Sequence, residues 1–569
     1  MTEPMSAKTR TRQALGAALV LLPLLALSIW KLPHGMATTD EALYLSIPYR
    51  LLQGDRPLLH EWHVTQLSSL LLLPLLRMYL LFTGGNTAGI LMSFRCIHLL
   101  FHTLTTLFLW TRLKKVSPVG AVFAAAMYLV FTPINCPALS YNSMGIGLLS
   151  IALVTLALAR GKVWEAWVCG LCFGGAVLCN PYYFILYPVY LAAVIVNVRR
   201  GGRRELRLSR RFCRIVTLAG AAVALAAGVR IFWGTDFSLL QETLPAILTG
   251  DTAEHPARSL PGILYGMWMG FGKNRLFVPT LGLSVLLCLG RVLDKNWRAH
   301  RAWYLLAAAL LSLVYGLWFR VFLHMSLNFY MFSLNILGFF AWYYAEDRKK
   351  PLFFYLYLPG VLCWFCSAMA SNLGFINFAS VSTINMLASA VLIAEAARPL
   401  RRGEWQERLC AALMLLAMAV QLGLLCECRF TTVFPMDPVS ADTAVIDRGA
   451  LKGLCVKPGE KARYDRAWEL TAPVREAEGE TVAYFTEIPG EYLDDGKRCG
   501  LYSPWFPGVS VRENLPRLLR YWELFPDRVP DRIVIGMDDP AADELLLEAL
   551  TGRLPEETQV LRVPLWEDA

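Results

Sequence analysis

Long unbroken apolar runs, rather than alternation, dominate the first three quarters of the chain. They fall at 13–31, 88–111, 117–134, 143–160, 163–179, 183–198 and 213–234, then at 276–293, 302–319, 327–345, 352–370, 376–397 and 407–426. A helix crossing a bilayer needs about 20 mainly apolar residues, with a range of roughly 17–25. The pattern therefore predicts a polytopic α-helical membrane protein with about 13 spans. The first run follows Lys8, Arg10 and Arg12, as a signal peptide would, but no small-x-small cleavage pattern comes after it. It is expected to stay as an anchor. One further apolar stretch, Leu67–Phe82, contains Pro74 and Arg77. Counting it as a span would invert every later loop, so it is expected to lie along the outer membrane surface.

The pattern changes near Glu427. Short β-type runs (Thr443–Ile446, Thr481–Phe485, Arg532–Gly536) alternate with helix-like stretches over Tyr464–Ala477, Leu515–Phe525 and Ala541–Leu550. This predicts two parts: a membrane domain over 1–426 and a small soluble α/β domain over 427–569.

Composition agrees. Of 569 residues, 56% are apolar and 17% charged, where soluble proteins average roughly 45–50% and about 25%. That excludes a soluble enzyme or a disordered scaffold as a description of the whole chain. The net charge of +10 is two opposed balances. From Glu427 onward there are 17 Lys and Arg against 27 Asp and Glu. Residues 1–426 keep 37 of the 54 basic and 17 of the 44 acidic side chains, a balance of +20. Basic clusters sit at the N-terminus, at Arg112–Lys115, over 199–211, and at Arg291–Arg301, Arg348–Lys350 and Arg398–Arg408. Placing each in the cytoplasm gives a consistent alternation of spans. The N-terminus is then cytoplasmic, and loops 32–87 and 235–275 and the C-terminal domain are extracytoplasmic, in a plasma membrane if the source is a bacterium. No interleave of basic and aromatic residues argues for nucleic acid as a partner. Most of the 14 cysteines lie within apolar runs, where Cys behaves as a small hydrophobe. Cys455 and Cys499 fall in the tail, where a disulfide between them is an open expectation.

Candidate chemistry centres on Thr38-Thr39-Asp40-Glu41-Ala42-Leu43-Tyr44, directly after the first span. Adjacent carboxylates at the membrane edge are notable in a chain with so few acids. Asp40 or Glu41 could act as a general base toward a hydroxyl or amine. Equally, the pair could cap and polarise a helix N-terminus. His60-Glu61-Trp62-His63 offers either a divalent-metal site or polar contacts to a sugar or phosphate.

The run Asp40-Glu41-Ala-x-Tyr-x-x-Ile-x-x-x-Leu-Leu-x-Gly-Asp55, followed by a loop helix and by Phe94-Arg95 opening the second span, resembles the GT-C glycosyltransferases. In layout it is most similar to the lipid A aminoarabinose transferases and the protein O-mannosyltransferases. The motif covers about residues 38–95, and the layout covers the whole chain. The resemblance implies transfer of a sugar from a polyprenyl-phosphate-linked donor to an acceptor of the cell envelope, by inverting displacement. It implies Asp40 as the base with Glu41 shaping the site. It implies Arg95 as a donor phosphate ligand, with Lys273, Arg275 and Arg320 as further candidates, each of which could instead snorkel to the headgroups. Tyr44, His60, Glu61, His63, Tyr141, Asn142 and Asn180 are candidate substrate contacts. Asn142 stands where the family often has an acid. Cys179-Asn180-Pro181 stands where the aminoarabinose transferases have a Lys, a departure that puts lipid A in doubt as acceptor. The competing expectations are a polytopic transporter and a catalytically inactive assembly subunit. No two-halves repeat favours the former, and the intact Asp40-Glu41 weighs against the latter.

Overall fold

The computed structural model describes residues 7–37, 39–201, 206–249, 261, 277–322, 329–343, 350–370, 378–434, 437–477, 479–486, 488–506, 511–537 and 540–563. Each of the 13 predicted apolar segments is helical. They are α1 (Ala7–Lys31), α4 (Ile90–Leu113), α5 (Pro118–Val130), α6 (Tyr141–Ala157), α7 (Val163–Cys179), α8 (Leu186–Arg199) and α9 (Arg210–Phe232). After the loop helix α10 (Phe237–Thr249) come α11 (Phe277–Leu293), α12 (Arg301–Phe322), α13 (Phe329–Tyr343), α14 (Leu358–Ala370), α15 (Phe378–Leu400) and α16 (Trp405–Thr431). Among the described residues, six helices are long and apolar enough to cross a membrane: Thr11–Lys31, Ile90–Leu113, Pro181–Arg199, Arg210–Phe232, Arg301–Trp318 and Trp405–Thr431.

The bundle is organised around α15. From Ile384 to Ala397 nearly every described side chain on it is buried, as expected of a helix that is apolar all round. Its neighbours approach through glycines: a Cβ on Gly120 would sit 2.7 Å from the Val391 Cα, and one on Gly338 would fall inside Ser389. Small residues are what permit such backbone proximity between membrane helices. The outer helices turn Leu19, Leu22, Leu218 and Leu225 outward, fully consistent with a lipid-facing surface.

Between α1 and α4 lie α2 (Asp40–Leu52) and α3 (Ser69–Phe82). At 14 residues, α3 is about as long as α5, so its length does not set it apart from the bundle helices. Leu72 and Leu76 are buried, while Met78, Leu81 and Phe82 are exposed. This helix presents one apolar face outward, the property expected of a surface-lying helix.

The chain after α16 forms two small antiparallel pairs, β1 (Thr432–Val433) with β2 (Asp437–Pro438) and β3 (Ala444–Val445) with β4 (Cys455–Val456). A four-stranded parallel sheet follows, in the order β6-β5-β7-β8: Arg498–Cys499, Thr481–Phe485, Arg532–Ile535 and Gln559–Arg562. Helices α17 (Pro458–Leu470), α18 (Ala472–Glu476), α19 (Glu491–Asp495), α20 (Val511–Leu524) and α21 (Pro540–Leu550) accompany it. In sequence order this is the 2-1-3-4 arrangement of doubly wound sheets. β5 is buried at all five positions, the expected state of a central parallel strand. The expected strand at 443–446 is instead half of the β3–β4 pair, outside the main sheet. Cys455 and Cys499 are both free thiols: one sits in that hairpin and the other in β6, so the disulfide is not formed.

The segments expected to be extracytoplasmic pack on one another. Trp62 lies within the apolar core of the main sheet, stacked on Tyr502 with centroids 5.8 Å apart. Its backbone N–H donates to the Tyr502 carbonyl at 2.8 Å. From α10, Ile247 joins the same core, and Thr243 Oγ1 donates to the Leu58 carbonyl at 2.6 Å. The basic clusters, by contrast, are tied among themselves, by Arg112 to Glu165 at 2.9 Å and Arg301 to Glu407 at 2.9 Å.

Candidate functional site

α2 begins at Asp40, two turns of chain beyond the end of α1. Thr39 makes no side-chain capping bond, and the hydrogen bond to the Asp40 carboxylate comes from the Tyr44 hydroxyl, one turn along, to Oδ1 at 3.2 Å. The alternative in which Asp40 caps the helix through backbone N–H groups is therefore not realised among the described residues. Asp40 is half-buried, and burial raises its carboxyl above the ordinary value while the Tyr44 bond pulls it back. A raised carboxyl is a stronger base once ionised, which suits proton abstraction. Tyr44 itself stands edge-on to Tyr141 at the start of α6, with centroids 5.8 Å apart.

Glu41 points the other way, into the protein, and is 2% exposed. It takes a two-pronged bond from Arg95, Nε to Oε1 and Nη2 to Oε2, both at 2.6 Å. Arg95 also donates from Nη1 to the carbonyls of Leu32 at 2.8 Å and His34 at 3.4 Å, and from Nη2 to Gly35 at 2.8 Å. A guanidinium has five N–H donors, and all five are engaged. This corrects the expectation that Arg95 is free to bind a phosphate. It is a positioning residue that clamps the α1–α2 turn and fixes Glu41 at the root of α2.

The structure separates His60, Glu61 and His63 from Asp40. α2 carries the chain about 15 Å along its axis from Asp40 to Arg50, where a second charge cluster forms. Arg50 bonds Asp55 at 2.5 Å and Glu61 at 2.9 Å, and Arg528 from the tail bonds Asp55 at 2.5 Å. All four are buried. Burial pushes Asp55 up, but Arg50 and Arg528 more than offset this and hold it below the usual range. Glu61 also accepts from the His63 N–H at 2.9 Å. His60 Nδ1 accepts from the Arg56 N–H at 3.1 Å, and burial lowers its ring to about 4. His63 Nδ1 faces the Thr65 hydroxyl at 2.8 Å. The ring nitrogens and carboxylate are thus turned to different partners, and no group of metal-ligating side chains is found among the described residues. The metal expectation is corrected: this segment docks the tail.

Asn180 caps α7, and its Nδ2 donates to the Tyr141 carbonyl at 3.1 Å. It ties α7 to α6 at Gly145, where any Cβ would lie 2.7 Å from that nitrogen. Asn142 is buried beside it. Lys273 and Arg275 lie outside the described residues, as does the Arg320 side chain.

Two cations that the sequence did not single out stand next to this site. Lys31 ends α1 and Arg429 lies in the last turn of α16; they are 1% and 4% exposed. Against Arg429 runs the loop joining α5 to α6, which contains two non-glycine residues in the left-handed region, Ile134 (φ 47°) and Asn135 (φ 58°). For a β-branched residue this is a strained conformation. Arg429 Nη1 holds it, donating to the Asn135 Oδ1 at 2.6 Å. The adjacent Cys136 thiol is buried and lies in the fields of Glu41, Asp40, Arg95 and Arg429, so the strained loop is close to both the carboxylate pair and Arg429.

No protein-family model matches the chain, and no curated protein matches it either. The chain is a helical protein in which six helices among the described residues are long and apolar enough to cross a membrane.

Proposed function

We propose that this protein is a membrane glycosyltransferase of GT-C type, moving a sugar from a polyprenyl-phosphate-linked donor to an acceptor of the cell envelope. The observation that carries the proposal is Asp40. It is a half-buried carboxylate with a raised affinity for protons, at the mouth of the first span, held by one tyrosine hydroxyl and leaving Oδ2 without a partner among the described residues. In the step envisaged, an acceptor O–H or N–H gives its proton to Asp40. The acceptor atom bonds to the anomeric carbon from the face opposite the phosphate. The bond from that carbon to the phosphate oxygen breaks, and its electron pair leaves with the polyprenyl phosphate. Glu41, neutralised by Arg95, orients α2 and is not a second base.

All 13 helical segments are taken as spans, with the N-terminus cytoplasmic. The packing of Trp62, Ile247 and the tail sheet into one core supports placing loops 32–87 and 235–275 on the same side as residues 427–569, since chain on opposite faces of a bilayer cannot share a core. The basic clusters assign that side as extracytoplasmic in a plasma membrane. The loop after β5 seats on α2, with the Pro489 carbonyl accepting from Ser46 Oγ at 2.6 Å. The tail α/β domain thereby forms one wall of the approach to Asp40.

The test uses purified protein and a panel of polyprenyl-phosphate sugars, with crude envelope extract as acceptor and release of free polyprenyl phosphate as readout. Wild type is expected to release it with one donor, and Asp40→Asn to slow release by at least about 100-fold. Equal release by both would remove Asp40 as base; no release with any donor would remove the proposal.

A further inference from the structure

Lys31 and Arg429 are an uncompensated pair of buried cations. The Lys31 Nζ is shielded from solvent and makes no hydrogen bond. Arg429 uses only Nη1, on the oxygens of Asn135. Among the described residues, no carboxylate comes within 4.0 Å of either one. The acid in sight of Lys31 is Asp442, which is buried and lies 3.9 Å from the His34 Nδ1. Arg95 also faces Lys31, but its charge is spent on Glu41. The basic groups of Lys31 and Arg429 are thus buried together, with Asp442 the one carboxylate acting on Lys31 and none acting on Arg429. Burying an unpaired charge costs several kcal/mol, and the strained turn at Ile134 and Asn135 over the same spot adds a cost of its own. An anion bound between the two basic groups removes the first of these costs.

We propose that Lys31 and Arg429 bind the oxyanion of a phosphate or phosphodiester group, with Asn135 orienting the guanidinium. On the glycosyl-transfer proposal, on which this part of the inference rests, the group is the phosphate of the donor, whose charge on leaving the two basic groups would neutralise. The phosphate ligands on this account are the ends of the first and last spans, rather than Arg95.

The test is thermal stability of the full chain in neutral detergent with inorganic phosphate, decyl phosphate, or decanol. Wild type is expected to be stabilised by a phosphate compound and not by decanol. Stabilisation by inorganic phosphate identifies a free anion, and stabilisation by decyl phosphate alone identifies a lipid-borne one. Lys31→Met and Arg429→Gln are each expected to weaken the apparent affinity at least tenfold. Lys31→Met is also expected to raise the ligand-free midpoint, because it removes a buried unpaired charge, and Asp442→Asn to tighten phosphate binding. Lack of stabilisation by either phosphate, or an undiminished response in both cation variants, would overturn the assignment. So would a fall in the ligand-free midpoint in Lys31→Met matched by Asp442→Asn, which would make the two a structural pair. The two proposals fail separately. Phosphate binding lost in Lys31→Met but kept in Asp40→Asn, with no donor turned over, leaves the anion site standing without glycosyl transfer. Turnover with phosphate binding intact in Lys31→Met does the reverse.

Discussion

Arg95 offers the sharpest test of how the site is built. It and Glu41 are 1% and 2% exposed and share two bonds of 2.6 Å. Removing one member of such a pair strands the other charge out of water, at a cost of roughly 3–5 kcal/mol. Arg95→Met also takes donors from the carbonyls of Leu32 and Gly35, at about 1 kcal/mol each. Taking an unfolding entropy of about 2 cal/mol/K per residue over about 400 residues, the pair alone corresponds to a midpoint lowered by about 4–6 °C. Removing both charges in Glu41→Leu/Arg95→Met spares the stranded-charge penalty, so the double variant is expected to be more stable than either single variant. The measurement is the fraction of monodisperse protein surviving a heating series in detergent, run on wild type, both single variants and the double. A clamp predicts strongly non-additive losses and unchanged decyl phosphate affinity in any variant that stays folded. If Arg95→Met keeps the wild-type midpoint but loses phosphate binding, the reasoning is refuted and Arg95 returns as a phosphate ligand.

Two other outcomes follow from the buried charges of the tail. Arg528→Met removes one of the two cations on Asp55, and is expected to cost roughly 1–3 kcal/mol and to speed hydrogen exchange across 498–530 while the Arg95 region keeps its protection; uniform exchange would deny that this cluster docks the tail. Burial raises Glu491, Asp494 and Asp495 to about 8, 7 and 6, so the folded tail holds protons that an unfolded chain releases. That stability is fully present below about pH 4 and is lost as pH rises through 6 to 8, at up to about 1.4 kcal/mol per pH unit for each group. Glu491→Gln is accordingly expected to raise the melting midpoint at pH 8.5 more than at pH 5, and an equal change at both would rule the linkage out.

What the sequence made legible was whatever depends on long-range composition. Each of the 13 apolar runs coincides with a helix among the described residues, and six of these helices are long and apolar enough to cross a membrane. The buried central strands β5 and β7 were legible for a similar reason, as dense β-branched and aromatic runs. β6 and β8 were not: Arg498–Cys499 and Gln559–Arg562 are short and polar, and are strands only because β5 and β7 offer them hydrogen bonds. The carboxylate at Asp40 was visible as a residue type out of place. The partners of the charges were invisible. Arg95 reads as a free cation until Glu41, 54 positions earlier, is seen bonded to it. His60, Glu61 and His63 read as ligands until Arg50 and Arg528 claim the carboxylates. Lys31 and Arg429 read as ordinary charges at span ends, since nothing local in sequence shows that each lacks a counter-charge.

Those partners also change what the tail is for. α2 is held at its first turn by Arg95 and at its last by Arg50, whose Nη2 reaches the Leu501 carbonyl of the tail at 3.1 Å. Between them, the Ser46 hydroxyl bonds the tail at Pro489. Upstream, the backbone of Cys455 pairs with Pro33 and Gly35 on the turn that precedes Asp40. The strained loop beside Asp40 is fixed by Arg429 and by the Asn135 bond to the Thr432 carbonyl at 2.8 Å, both at the junction of last span and tail. A carboxylate that must meet a proton within a few tenths of an ångström needs a rigid support. Here the support comes from chain that precedes and follows the helical bundle in sequence. On the glycosyl-transfer proposal, the residues after 427 are therefore part of the scaffold that aims Asp40, and an account of that chemistry that stops at the apolar helices leaves half of the scaffold out.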